Sequence, residues 1–255
     1  MQFCKQKEVF IMSVSSSAPS IRSAAYWKDA ARSFGNTHML VFAALIVALR
    51  VAVKFLRIPL AAGLSVSLDG YVNALGSLVY GPLMGLAVGA VSDTIGCILA
   101  PSGPYFFPFV LVEMSSSFLF GLFFWQRELS LPRILTAKFT VNAVCNIFLT
   151  SLFMKWSYLV FYGAEKAQGY ALINAARIVK NLVLFPVEAV LIAVVIRAAM
   201  PALRALGLLR GFDPLRPTRR DYWLAALLFL LSVGLVLLYV FVLKDFLAAH
   251  NLKWF

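Results

Sequence analysis

Charged residues are scarce in this chain of 255 residues: Asp, Glu, Lys and Arg make up 13% of it, whereas hydrophobic residues make up 62%. Soluble domains carry about 25% charged residues, so this composition excludes an ordinary soluble fold. Repeated apolar runs that are long enough to cross a bilayer indicate an all-α membrane protein with several transmembrane helices.

Cysteine and histidine are also rare, with three Cys and two His in the chain. Cys4, Cys97 and Cys145 lack metal-ligand spacing, and His38 and His250 stand far apart. The sequence therefore predicts no disulfide framework, no metal centre and no histidine-based catalytic site. It contains no Gly-x-x-x-x-Gly-Lys-[Ser/Thr] phosphate loop. We expect a protein that is not an enzyme and has no cofactor.

The net charge of +12 comes from Lys and Arg scattered between apolar runs rather than from a basic stripe. We therefore predict no nucleic-acid partner. Basic residues concentrate in the N-terminal tail, the loop at 126–133 and the segment at 197–220, which share one side of the bilayer if six helices alternate. By the positive-inside rule, we expect a cell-membrane protein with a cytoplasmic N-terminus. The outer loops are then 58–69, 101–108 and 159–169.

Hydropathy divides the chain into a polar tail (1–34), a six-helix membrane domain (35–205), and a basic linker with a seventh transmembrane helix (206–255). The predicted helices span 38–55, 71–80, 83–100, 109–125, 134–158, 170–200 and 222–243. Within the tail, residues 26–34 fit either a short amphipathic helix on the membrane surface or a disordered segment.

Polar residues interrupt the sixth predicted helix at 171–188, which reads ALINAARIVKNLVLFPVE. One helix face presents four polar residues at spacings of three, four and seven, namely Asn174, Arg177, Asn181 and Glu188. Lys180 lies one helical step from that face. A charge at membrane depth costs about 2.5–3.5 kcal/mol on insertion scales, so it normally faces a partner, a cavity or a ligand. Two interpretations stay open: Arg177 and Lys180 pair with carboxylates of neighbouring helices, or they bind an anionic ligand.

Other polar side chains fall at a similar predicted depth, namely Asp93, Glu113 and Asn146. Several polar groups at one depth predict a shared cavity that opens outward. The loop at 101–108 adds Tyr105 and Phe106, which fit either an interfacial aromatic belt or a lid that stacks on a flat ligand.

Small residues recur at helical spacing in the first helix, at Ala44, Ala48 and Ala52. Such a row lets another helix approach closely within lipid, where packing drives helix association. It therefore predicts a face for helix docking.

Several motifs together resemble the S component of an energy-coupling factor (ECF) vitamin transporter. They are the alanine row, the second helix ending in Tyr80-Gly81-Pro82, the glycine-rich third helix with Ser92-Asp93, and the PSGPY loop at 101–105. The resemblance covers about residues 35–205. Within that family, RIVKN at 177–181 followed by FPVE at 185–188 is similar to the folate-specific members.

The resemblance implies a six-helix bundle that captures folate from outside in a cavity capped by outer loops. It also implies docking through the alanine face onto a transmembrane coupling subunit, which two ATPase subunits drive. The long tail and the seventh helix depart from the family pattern. The alternatives are another vitamin such as riboflavin or thiamine, a solitary ion-coupled transporter, or a membrane enzyme.

Each part of folate has an expected counterpart. Tyr105 and Phe106 suit stacking on its rings, and Arg177 with Lys180 suits capture of a carboxylate. The candidates for the hydrogen-bonding edge of the pterin are Asp93, Glu113, Asn146 and Asn181. The candidates for the glutamate tail at the cavity mouth are Lys54, Arg57 and Lys166. Asp93 or Glu113 can instead neutralise Arg177.

Overall fold

Helices account for most of the chain that the computed structural model describes, which is residues 21–61, 64–100, 105–163 and 175–208 with the isolated positions 223, 226, 227, 230 and 234. The first elements in chain order are α1 (Ala24–Arg32), a 3₁₀ turn (Ser33–Gly35), α2 (Thr37–Lys54) and an antiparallel hairpin of β1 (Arg57–Ala61) and β2 (Leu64–Ser67). They are followed by α3 (Asp69–Leu99), α4 (Pro108–Phe124), α5 (Leu131–Val141), a π-helical segment (Asn142–Leu149), α6 (Thr150–Tyr162) and α7 (Ala175–Ala205).

Four helical stretches are long and apolar enough to cross a membrane: Thr37–Lys54, Asp69–Leu99, Leu131–Tyr162 and Arg177–Ala205. A shorter apolar helix, Pro108–Phe124, lies between them in sequence. These helices confirm the prediction of a helical membrane protein with several spans. The predicted seventh helix at 222–243 lies almost entirely outside the described residues, so the total number of helices stays a prediction.

A sharp break divides α3 at Gly81, whose φ is 82° and ψ is −177°. This backbone conformation favours glycine, and Pro82, which lacks a backbone N–H, follows it. Arg50 and Lys54 lie one turn apart on α2, yet they pair with Asp69 at the start of α3 and Asp93 near its end. The two halves of α3 therefore lie side by side and run in opposite directions. This agrees with the prediction of two separate helices at 71–80 and 83–100.

This reversal places several helix ends together at what we call the hairpin end of the bundle. It contains the end of α2, the hairpin, both ends of α3 and the start of α4. The end of α6 joins them, because Phe161 packs against Phe106 beside the start of α4. The opposite end, which holds α1 and the Gly81 break, we call the tail end.

Close packing of α3 on α4 supports the bundle. A Cβ atom at Gly89 would lie 2.9 Å from the backbone oxygen of Glu113, so only glycine permits this approach. The largest buried apolar cluster joins α3, α4, α5 and α7, and a second cluster packs α2 on α3. The outward face of α2 exposes large apolar residues such as Leu45, as lipid contact requires.

The tail segment forms a helix where the sequence left two interpretations open. Ser23 caps α1 by accepting a hydrogen bond from the backbone N–H of Tyr26. Tyr26 and Ala30 are buried, and the Tyr26 ring packs edge-on against Trp125 with a centroid distance of 4.9 Å. Burial raises the pKa of Tyr26 to about 12, so its phenol stays neutral near pH 7. α1 thus packs against the tail end of the bundle.

Candidate functional site

A buried ionic cluster lies at the hairpin end around Arg50, which is fully buried. Its guanidinium donates two parallel hydrogen bonds to Asp69, with Nε–Oδ1 at 2.8 Å and Nη2–Oδ2 at 2.9 Å. Nη2 also donates to Glu113 Oε2 at 2.5 Å. One Arg on α2 therefore ties together the start of α3 and the first turns of α4.

Hydroxyl and amide groups extend this Arg50 cluster deeper into the bundle. Arg50 Nη1 lies 3.4 Å from Ser117 Oγ, and the Ser117 hydroxyl lies 2.7 Å from Asn73 Oδ1. Toward the edge of the bundle, Lys54 Nζ pairs with Asp93 Oδ1 at 3.0 Å. Buried charges are stable only when they are paired and hydrogen-bonded, and this network satisfies that condition for Arg50.

Sequence reasoning missed Arg50 and Asp69. A signal for Arg50 was available, because it stands alone in the apolar helix THMLVFAALIVALRVAVK. By the membrane-cost argument applied to Arg177, it also needed a partner. Asp69 carried no comparable signal, since it follows a loop rather than lying inside an apolar run.

A second polar cluster joins the π-helical segment, α6 and α7. Arg177 Nη1 donates to the hydroxyl of Ser151 at 3.0 Å. The Asn146 amide donates to Asn142 Oδ1 at 2.9 Å, and the Asn142 amide lies 3.5 Å from the backbone oxygen of Asn181. Three predicted site residues, Arg177, Asn146 and Asn181, therefore converge here. π-Helical segments occur frequently at functional sites.

Aromatic rings line the hairpin end beside the second cluster. Phe106 makes edge-to-face contacts with Phe109, Trp156 and Phe161 at centroid distances of 5.8, 5.5 and 5.9 Å. Tyr105 is 47% exposed. The two predicted stacking residues thus differ: Phe106 packs within the bundle, whereas Tyr105 faces outward.

A third charged group lies further from the hairpin end, where Lys138 on α5 pairs with Glu188 on α7. The Nζ–Oε2 distance is 3.0 Å, and the two side chains are 8% and 16% exposed. Sequence analysis placed Glu188 on the Arg177 face of its helix but did not single out Lys138.

The predicted site residues therefore separate into groups. Asp93 and Glu113 belong to the Arg50 side of the bundle, where they pair with Lys54 and Arg50. Lys180 is half-buried on α7 near the second cluster. Arg57 lies in β1, and its side chain is outside the described part, as are residues 101–104 and Lys166. The alanines Ala44, Ala48 and Ala52 are all exposed on α2.

Long apolar helices that enclose charged and amide groups define a multi-pass membrane protein with a polar interior. The profile of the family described as "ECF transporter, substrate-specific component" matches residues 38–196, more than half of the chain. The chain belongs to this family, which confirms the resemblance seen in the motifs. The family supplies the substrate-specific component of a transporter, so the protein is not an enzyme.

Two relatives carry the same name. "Folate transporter FolT" of Clostridium novyi (strain NT) is 29% identical over 119 residues, which cover 47% of this chain and 64% of the relative. The chain thus spans just under two thirds of that protein's length. "Folate transporter FolT" of Leuconostoc mesenteroides subsp. mesenteroides is 26% identical over 157 residues, which cover 60% of this chain and 81% of the relative.

A solved structure, "Crystal structure of FolT bound with folic acid", is similar in fold, with a TM-score of 0.50 and 23% identity. The match covers 60% of this chain and 88% of the other. It supports the helical architecture described above.

Proposed function

We propose that this protein is the folate-specific S component of an ECF transporter and captures folate from outside the cell. The observation that carries the proposal is the second polar cluster, where Arg177 lies among amides and a hydroxyl near the start of α7. A guanidinium suits bidentate capture of a carboxylate, and folate ends in two carboxylates. The names of the two relatives support the same ligand.

In this proposal some of the predicted residues contact the ligand, and others only hold the bundle together. Arg177, Lys180, Asn181 and Asn146 surround the carboxylate end of the ligand. Phe106 and Tyr105 offer rings beside the cluster, one within the bundle and one facing out. Arg57, in β1, is the proposed contact for a charged ligand at the cavity mouth. Asp93 and Glu113 hold the bundle through Lys54 and Arg50 rather than contacting the pterin.

The proposed orientation puts the hairpin end outside the cell and the N-terminus in the cytoplasm. The tail end carries Lys28 and Arg32 in α1 and Arg127 after α4. Basic residues concentrate on the cytoplasmic side of membrane proteins. The second polar cluster then lies toward the extracellular side, from which the vitamin is captured in this proposal.

Transport requires the partners that the family implies, a transmembrane coupling subunit and two ATPase subunits. The exposed row of Ala44, Ala48 and Ala52 is the proposed docking face, because small side chains let a partner helix approach closely. Co-purification of ATPase subunits with the tagged protein tests this partnership. A protein that transports folate alone would overturn it.

Binding of folate to the purified full chain in detergent tests the ligand directly. Riboflavin and thiamine serve as competitors in the same titration. We expect folate to bind and the other two vitamins to leave its affinity unchanged. Binding of riboflavin or thiamine in place of folate would keep the family and change the ligand.

A further inference from the structure

We propose that the junction of α1 and α2 binds the headgroup of an anionic phospholipid at the tail end of the bundle. An open cavity of about 1120 Å³ lies at this junction. The second half of α1, the 3₁₀ turn and the first turn of α2 line it. α1 and the 3₁₀ turn precede residues 38–196, which the family profile matches. The site therefore goes beyond the proposed function and does not depend on which vitamin is captured.

Cationic side chains of α1 line this cavity. Lys28 and Arg32 are one helical turn apart, so they share a face of the helix, and His38 joins them from α2. A guanidinium binds two phosphate oxygens at once, and an ammonium group adds a point charge. Asp29 pairs with Arg32 at 3.3 Å, but the Arg32 side chain is 67% exposed. Exposed ion pairs are weak, so a phosphate can compete with Asp29 for Arg32.

The depth of the cavity in the bilayer follows from the length of α2. This helix has 18 residues and is apolar enough to cross a membrane. At a rise of about 1.5 Å per residue it spans about 27 Å, close to the hydrocarbon thickness of about 30 Å. Its first residue, Thr37, therefore lies near the boundary between the acyl chains and the headgroups. Thr37 also lines the cavity, which places the cavity at the depth of the lipid phosphates.

An apolar row continues from the cavity along α2. Thr37, Val41 and Leu45 recur every four residues, so they lie on one face of the helix. Val41 and Leu45 are both more than half exposed. A phospholipid whose phosphate lies in the cavity can extend its acyl chains along this row. An inorganic phosphate would use only the basic part, so the combination favours a phospholipid.

The opposite face of α1 packs on the bundle and holds the cations in place. Tyr26 is buried, and its ring packs edge-on against Trp125 at a centroid distance of 4.9 Å. The next residue, Trp27, stacks on Phe118 at 6.2 Å. Because α1 is already fixed before a lipid arrives, little ordering of the backbone opposes binding.

The first test compares lipids on the full chain in a neutral detergent. Dioctanoyl phosphatidylglycerol is anionic, whereas dioctanoyl phosphatidylcholine has no net charge. A ligand that binds the folded state raises the thermal unfolding midpoint, so a titration of this midpoint gives both affinities. We expect phosphatidylglycerol to bind at least about tenfold more tightly, with an affinity that falls as salt is added. Equal affinity for the two lipids overturns the site.

Inorganic phosphate, added to the same titration, separates the two possible sources of a phosphate group. We expect it to leave the affinity for phosphatidylglycerol unchanged at concentrations equal to that of the lipid. Displacement of the lipid at such concentrations would show that the cavity takes a free phosphate and would overturn the phospholipid assignment.

Removal of single charges tests the lining. Lys28→Gln and Arg32→Gln should each weaken the binding of phosphatidylglycerol about fivefold, because each basic residue near a membrane surface contributes by that amount. Lys155→Gln is the control, since Lys155 is an exposed cation of α6 that does not line the cavity. All three variants should bind folate like the wild type. Wild-type lipid affinity in both α1 variants overturns the site.

Gly35 allows a test that leaves both cations in place. It lines the cavity, and a Cβ atom there would meet nothing within 4 Å, so a longer side chain fits. Gly35→Glu adds a carboxylate beside the phosphate position, and Gly35→Gln adds a neutral side chain of the same size. We expect the Glu variant to bind phosphatidylglycerol at least about fivefold more weakly than the Gln variant. Equal affinities, with equal unfolding midpoints in the absence of lipid, overturn the proposal.

Discussion

Asp69 holds the guanidinium of Arg50 through two parallel hydrogen bonds of 2.8 and 2.9 Å. Arg50 lies one turn before the end of α2, and Asp69 opens α3 directly after the hairpin. The pair therefore closes the base of the hairpin and fixes where the second predicted helix begins. Glu113 completes the contact from α4.

Replacing Arg50 should destabilise the bundle. Arg50→Met leaves Asp69 and Glu113 without their shared cation, and breaking a buried ion pair costs about 3–5 kcal/mol. We expect a clear fall in the thermal unfolding midpoint in detergent. Arg32→Met is the matched control, because the Arg32–Asp29 pair is exposed and such pairs contribute about 0–1 kcal/mol. Similar midpoints for the two variants would show that the Arg50 cluster contributes little to stability.

Removing either of the two cations near the start of α7 should weaken folate binding while leaving the protein folded. Arg177→Ala and Lys180→Ala should each lose about 2–5 kcal/mol of binding free energy, part of which is the cost of the unpaired partner group. The measurement is equilibrium titration with folate. Lys155→Ala is the control, because Lys155 is an exposed cation of α6. If both α7 variants bind like the wild type, these residues are structural.

A large side chain in the alanine row should block transport but not binding. Ala48→Trp places a ring on the exposed face of α2, where a partner helix needs close approach. We expect uptake with the coupling and ATPase subunits to be abolished, and folate binding by the isolated protein to be retained. Ala48→Ser, which stays small, should keep both activities. Unchanged uptake in Ala48→Trp would rule out a docking role for this position.

Tyr26 tests how α1 is attached to the bundle. Its buried hydroxyl has no hydrogen-bond partner among the described residues, so Tyr26→Phe should be neutral or slightly stabilising. Tyr26→Ala removes the ring that packs on Trp125 and should cost about 3–5 kcal/mol. Thermal unfolding of both variants in detergent gives the comparison. A large loss in Tyr26→Phe would reveal a hydroxyl contact instead.

Most of the fold was predictable because its signals are local. The apolar runs predicted the positions of the membrane helices that the structure describes to within about five residues. Gly81-Pro82 predicted the break in α3, because glycine permits a positive φ and proline lacks a backbone N–H. The hairpin at 57–67 was expected only as an ordered loop. Its strands are short and contain Pro59, so they carry little of the alternating pattern that identifies a strand.

The candidate site was predictable only in part. Helical spacing correctly placed Arg177 and Asn181 on one face. Asn146, in the π-helical segment, is linked to Asn181 through hydrogen bonds of Asn142. Spacing along one helix does not show which neighbouring helix packs against each of its faces. Pterin contact by Asp93 or Glu113 stays a prediction; the structure shows that they pair with Lys54 and Arg50, and spacing did not predict these pairs.

The sequence by itself determined the class of protein, the positions of the described membrane helices, the break at Gly81 and the family. These properties depend on hydropathy, on the backbone preferences of single residues and on motifs, all of which can be seen in the sequence. Only the tertiary structure decided which charge pairs with which, as with Lys138 and Glu188, fifty residues apart in sequence. The physical reason is that an ion pair forms within a few ångströms, a distance that is set by how the helices pack.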